Sequence, residues 1–206
     1  MRSRTIEQDI GPIHIATYNL NAFVALTIDQ TTTEAFDNAH TLGSRGAFLL
    51  ARTVTPYMLA RPPQTMQSLF FTSAASALRG NATQSAHAAG LFGRRAIAQS
   101  LSHELWPLGI HVATVHVDGP VNSEDTSGRR SGDEWESVRA AAQASVAMLE
   151  PDAVADGFAY LHSQPRNCWT FELDMRPSNF TAWFHTDGAS GAPAVTPEER
   201  AARVRR

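Results

Sequence analysis

An α/β fold, with a mainly parallel sheet of about four strands and helices on both faces, follows from three features of the 206-residue chain. Short apolar runs begin near residues 13, 68, 110 and 169. Longer stretches with helical spacing separate them, and proline or glycine punctuates most junctions. Strand and helix in alternation is the pattern of a parallel sheet layered between helices.

Taken in order, Ile13-His14-Ile15-Ala16-Thr17-Tyr18 follows Gly11-Pro12 and predicts a buried strand. Thr33 to Arg61 carries helical spacing at Phe36, Leu42, Phe48 and Leu49, and stops before Pro62-Pro63. The preceding Thr31-Thr32 offers a hydroxyl cap. Ser68 to Thr72 predicts a second strand, and Gln84 to Trp106 a long alanine-rich helix ended by Pro107 and Gly109. Ile110 to Val117 predicts a third strand, closed by Asp118-Gly119-Pro120. Helices are expected over Gly132–Met148 and Asp152–Ser163, and a last strand over Trp169–Leu173. Residues 1–187 are expected to form one domain. Residues 188–206 read as a small, polar, flexible tail, with one charged helix possible from Pro197.

Composition narrows the function. A hydrophobic content of 43% supports a real core, and a net charge of −3 offers no electrostatic attraction for nucleic acid or a membrane surface. No apolar run approaches the roughly 20 residues that a membrane span needs. The N-terminus has no apolar stretch behind its arginines, so it does not read as a secretory signal, and a cytoplasmic location is the default. The single Cys168 provides neither an internal disulfide nor a thiolate cluster for metal. All 17 basic residues are arginine, so this sequence has no lysine for Schiff-base chemistry.

Several segments together carry a resemblance. Gly46-Ala47-Phe48-Leu49-Leu50-Ala51-Arg52 is similar to the fourth helix of short-chain dehydrogenases/reductases. Ala96 to Leu105 followed by Gly109-Ile110-His111-Val112 resembles their fifth helix entering the sixth strand. Asp118-Gly119-Pro120-Val121 stands where a Pro-Gly turn precedes their substrate loop, and Trp169 to Asp174 resembles their closing strand. The resemblance spans roughly residues 10–177, in the right order and spacing. It implies a truncated Rossmann-like three-layer fold without the N-terminal βαβ unit whose glycine-rich turn holds NAD(P). It also implies that the catalytic tyrosine position holds His87, the lysine Leu91, the serine Ala74 (next to Ser73) and the asparagine Gly43. The Asn-Ala-Gly turn reads Asn19-Leu20-Asn21. On that reading no cofactor is bound, no metal is held, and the family's hydride transfer is lost.

The carboxyl ends of the strands are where such sheets bind ligands. The candidate catalytic residues there are His87, as a general acid/base titrating near neutrality, Ser73, and Asp118. Tyr18, Asn19, Asn21, Ser76 and Asn122 are the candidate substrate-binding residues. Each has a plainer reading. His87 fills a pocket or an interface, Ser73 and Ser76 satisfy turns, and Asp118 caps backbone N–H groups. Trp135, Trp169 and Trp183 read as core or rim, and Arg94-Arg95 as a solvated helix face. With its first strand unpaired on one side, Ile13–Tyr18 presents an edge that something should cover.

Three functions remain open. One is a cofactor-independent isomerase, lyase, dehydratase or cyclase acting on a small, mostly apolar metabolite. Another is a non-catalytic binding or assembly partner. The last is an atypical NAD(P)-dependent oxidoreductase. The resemblance further implies a homodimer through helices 33–61 and 84–106, with no nucleic-acid or membrane partner.

Overall fold

The structure is a computed structural model that describes residues 8–123 and 148–179, together with residues 6 and 140. Trp135, Trp183, the tail from residue 188 and nearly all of the helix expected over 132–148 lie outside the described residues. The chain forms two compact units: residues 1–117 with 155–175, and residues 118–154 with 176–206.

The first unit holds a four-stranded, all-parallel sheet. Its strands are β1 (Ile15–Tyr18), β2 (Gln67–Ser73), β3 (Ile110–Val117) and β4 (Glu172–Met175), and they lie side by side in chain order. Register is set by Ala16 beside Leu69, Leu69 beside Val112, and Val115 beside Leu173. Among the described residues β1 pairs only with β2.

Side chains alternate across the sheet and build two cores. On one face Leu69, Phe71, Ile110 and Val112 meet Ala47, Ala51, Val54 and Met58 of α2 (Gly46–Leu59), with Ala98 and Leu105 of α3 (Ser85–Leu105). On the other, Phe70, Ala113 and Val115 meet Phe158 and Leu161 of α4 (Pro151–Ser163).

The expected helix over 33–61 is broken in two. α1 (Thr33–His40) starts at Thr32, whose hydroxyl accepts from Ala35 N–H at 3.1 Å, the cap anticipated from sequence. A π-helical turn over Thr41–Arg45 then leads into α2, which ends at Leu59. This turn carries Gly43 against α3, where a Cβ would sit only 2.6 Å from the Cα of Gly90. Two glycines thus let the backbones touch, an approach that periodicity does not reveal.

The last strand is also shifted, to Glu172–Met175 rather than Trp169–Leu173. Residues before it are occupied otherwise. Trp169 stacks on His111 at 4.8 Å and donates to the Gln164 carbonyl at 3.2 Å, while Thr170 bonds twice to the Gln164 side chain. Packing and side-chain bonds engage Trp169 and Thr170, and pairing with β3 starts only where the Phe171 carbonyl accepts from Thr114 N–H at 2.8 Å.

Candidate functional site

At the carboxyl end of β1 the chain turns through Asn19-Leu20-Asn21-Ala22-Phe23. Asn19 and Asn21 are exposed there. Tyr18, expected to line a pocket, is instead a core residue whose hydroxyl donates to the Leu42 carbonyl at 2.8 Å. Burial pushes its phenol upward in pKa, opposed by the nearby Arg94.

Arg94 organises this end of the sheet. Its side chain is fully buried at 1% exposure, so only Arg95 of the expected solvated pair reaches solvent. The reason is local supply of acceptors. Nε donates to the Gly43 carbonyl at 2.8 Å, and the two terminal nitrogens donate to Leu42 at 3.0 Å, Leu20 at 2.5 Å, and Thr72. The guanidinium also lies 4.9 Å from the centre of the Tyr18 ring. One side chain therefore ties the end of β1, the π turn and the end of β2 to α3. Burial lowers its pKa to about 10, with Tyr18 pulling the other way.

His87 lies seven residues earlier, two turns up the same helix, and is also buried. Its Nδ1 lies 3.1 Å from the Ala22 carbonyl, and the ring packs edge-on against Phe23 at 5.1 Å. Nδ1 must carry the hydrogen to donate to a carbonyl, which leaves Nε2 with the lone pair. Burial lowers the His87 pKa, the Ala22 carbonyl raises it, and Arg94 lowers it further. Near pH 7 the ring is a neutral base.

The remaining candidates take different places. Ser76 donates to the Gln84 side-chain oxygen at 2.9 Å, which Asn81 also reaches at 3.1 Å. Ser73 ends β2 with its hydroxyl buried and without a hydrogen-bond partner. Ala74 follows it. Leu91 is fully buried one turn beyond His87, and Gly43 is closed by Gly90. In the second unit, Asp118 faces Arg176 at 3.5 Å, and Asn122 donates to the Glu150 carboxylate at 3.0 Å. Among the described residues no group of His, Cys, Asp and Glu is placed to hold a metal. No described helix is long and apolar enough to cross a membrane.

Sequence reasoning missed Arg94 and His116. Nothing in the pattern marks one arginine of a doublet as buried, since its acceptors come from three distant segments. Nothing in the pattern singles out His116 either, since its place beside Ser73 follows from strand register.

A four-stranded parallel sheet of this order, with helices on both faces, defines a Rossmann-like α/β protein. A family model described as enoyl-(acyl carrier protein) reductase matches residues 3–171, and the chain belongs to the short-chain dehydrogenase/reductase family. It is similar to a short-chain dehydrogenase from Rhodopseudomonas palustris, with 29% identity and a TM-score of 0.66 over 85% of this chain and 66% of that one. A short-chain dehydrogenase from Mycobacterium paratuberculosis, bound to NAD, shares 19% identity with a TM-score of 0.69 over 84% and 66% of the two chains. An alcohol dehydrogenase from the archaeon Thermococcus sibiricus, complexed with 5-hydroxy-NADP, shares 13% with a TM-score of 0.68 over 85% and 68%. The last two likenesses concern the fold alone. The chain spans about two thirds of the length of these structures. No curated protein matches it.

Proposed function

We propose that this chain is a family member that does not transfer hydride by the tyrosine–lysine route and acts as a binding and assembly partner. The observation that carries this reading is what fills the place of the proton relay. Leu91, at the lysine position, is sealed in the core. Gly43, at the asparagine position, is in backbone contact with Gly90, and Arg94 consumes the surrounding carbonyls. The residues present do not fit a nicotinamide dinucleotide in the family's manner. No ammonium is available to the ribose, and no described glycine-rich turn joins a strand to a helix.

The helices meanwhile expose large apolar side chains: Phe36 on α1 (43%), Phe48 on α2 (49%) and Phe92 on α3 (42%). Exposed apolar groups recurring on adjacent helices suit a protein partner. The partner expected from the family resemblance is a second copy of the chain, across the helices spanning 33–61 and 84–106. Calorimetric titration with NADH and NADPH, alongside sedimentation of the purified protein, tests both halves. Absence of nucleotide binding, with a dimer that dissociates in Phe48→Glu, supports the reading. Micromolar nucleotide affinity would restore an NAD(P)-dependent oxidoreductase, and a wild-type monomer would remove the assembly role.

A second reading has its own observation. The Ala22 carbonyl fixes the His87 tautomer and leaves Nε2 basic, which suits a cofactor-independent acid–base step on a small, mostly apolar metabolite. Such an enzyme loses turnover in His87→Phe while remaining folded. Equal rates in the variant would eliminate it.

A further inference from the structure

We infer that Ser73, His116 and Glu172 form a nucleophilic site on the sheet, separate from His87, that takes small uncharged esters. Strand register carries the inference. Ser73 on β2 stands beside His116 on β3, and His116 stands beside Asp174 on β4. Register partners in adjacent strands point to the same face and lie about 4.8 Å apart. Glu172, two residues before Asp174, points to that face as well. A hydroxyl, an imidazole and a carboxylate therefore follow one another across three neighbouring strands, in the order that base-assisted nucleophilic catalysis needs.

The groups are also unusually unemployed. The Ser73 hydroxyl is buried with no hydrogen-bond partner, and neither ring nitrogen of His116 makes a well-formed one. Buried polar atoms are almost always satisfied, so such a gathering is poised for a ligand or a reaction. The acid is well held. Arg95 grips Glu172 through two contacts, at 2.5 and 3.0 Å, and the second carboxylate oxygen lies 3.8 Å from His116 Nε2. Nδ1 is the ring nitrogen turned from that carboxylate, and it must close on the Ser73 hydroxyl, with which it forms no hydrogen bond at rest.

Burial keeps the His116 ring neutral, against Glu172, with Arg95 reinforcing burial and Asp174 and the Ala74 carbonyl opposing it. A neutral ring is the form that accepts a proton. Oγ of Ser73 would attack the ester carbonyl carbon while its proton passes to Nδ1. The proton then moves to the departing alkoxide as the C–O bond breaks, and water releases the acyl group from the serine by the same path. No oxidant or reductant enters. Ser73 is 6% exposed, so the site favours small esters. This site is independent of the assembly role proposed above.

The test is labelling of the intact protein with a fluorophosphonate probe, mapped by mass spectrometry, together with hydrolysis of p-nitrophenyl acetate. The expected adduct is on Ser73, absent in Ser73→Ala and retained in Ser163→Ala. His116→Gln should slow labelling roughly a hundredfold or more, and the wild-type rate should fall as acid protonates His116, below pH 6.5. If His116→Gln fails to fold, the wild-type pH profile decides. An unlabelled Ser73, an unchanged rate in folded His116→Gln, or a rate indifferent to pH between 7.5 and about 5 overturns the inference.

Discussion

Arg94 shows how much one side chain can do when its acceptors are all backbone carbonyls. A guanidinium has five donors in a rigid plane and retains its charge even where burial opposes it. Replacing it by lysine keeps the charge but cannot reach Leu20, Leu42, Gly43 and Thr72 together. Arg94→Lys should therefore lose about 3 kcal/mol, one or two charged hydrogen bonds, read as a lower urea midpoint at unchanged slope. A loss below about 0.5 kcal/mol, the scale of an ordinary surface change, would mean that the carbonyls find water instead. Arg95→Ala, by contrast, removes a half-exposed ion pair with Glu172 and should cost about 1 kcal/mol or less.

Between elements, the decisive contact is glycine on glycine. α1 and α3 approach so closely that a Cβ on Gly90 would meet the Ala39 carbonyl at 2.6 Å and the Gly43 Cα of the π turn at 3.3 Å. Gly90→Ala should force the helices apart and destabilise by about 1–3 kcal/mol, the range of overpacking. Gly80→Ala has nothing within 4 Å and should change stability by less than about 0.5 kcal/mol. Thermal unfolding of the two variants side by side separates a steric contact from a general intolerance of change. Equal melting temperatures would show that α1 and α3 yield at no cost.

For the molecule as a whole, histidine burial links stability to pH. His87, His111, His116 and His162 all have pKa values lowered from 6.5, in each case chiefly by burial. His111 illustrates the conflict: its two nitrogens face the Leu161 and Thr170 carbonyls at 3.0 and 2.8 Å, which favour the charged ring, yet burial prevails. A depressed pKa means that the unfolded chain binds the proton more readily. Stability is then complete above pH 6.5 and declines as pH falls through the lower folded-state values. Urea midpoints should drop steadily from pH 7 to 5. A midpoint that holds or rises over that interval would contradict the burial of these rings as neutral groups.

Layering and the capping threonine were legible in the residues, because apolar periodicity and turn chemistry are local properties that one segment displays alone. The break in the first helix, the displaced last strand, the burial of Arg94 and the row formed by Ser73, His116 and Glu172 were not. Each depends on segments far apart in the chain: carbonyls from residues 20, 42, 43 and 72 for Arg94, and the register of three strands for the row. A sequence displays its hydrophobic pattern residue by residue, whereas the partner of a buried polar group is chosen only when distant backbones come within 3 Å or so, and that choice belongs to the folded chain.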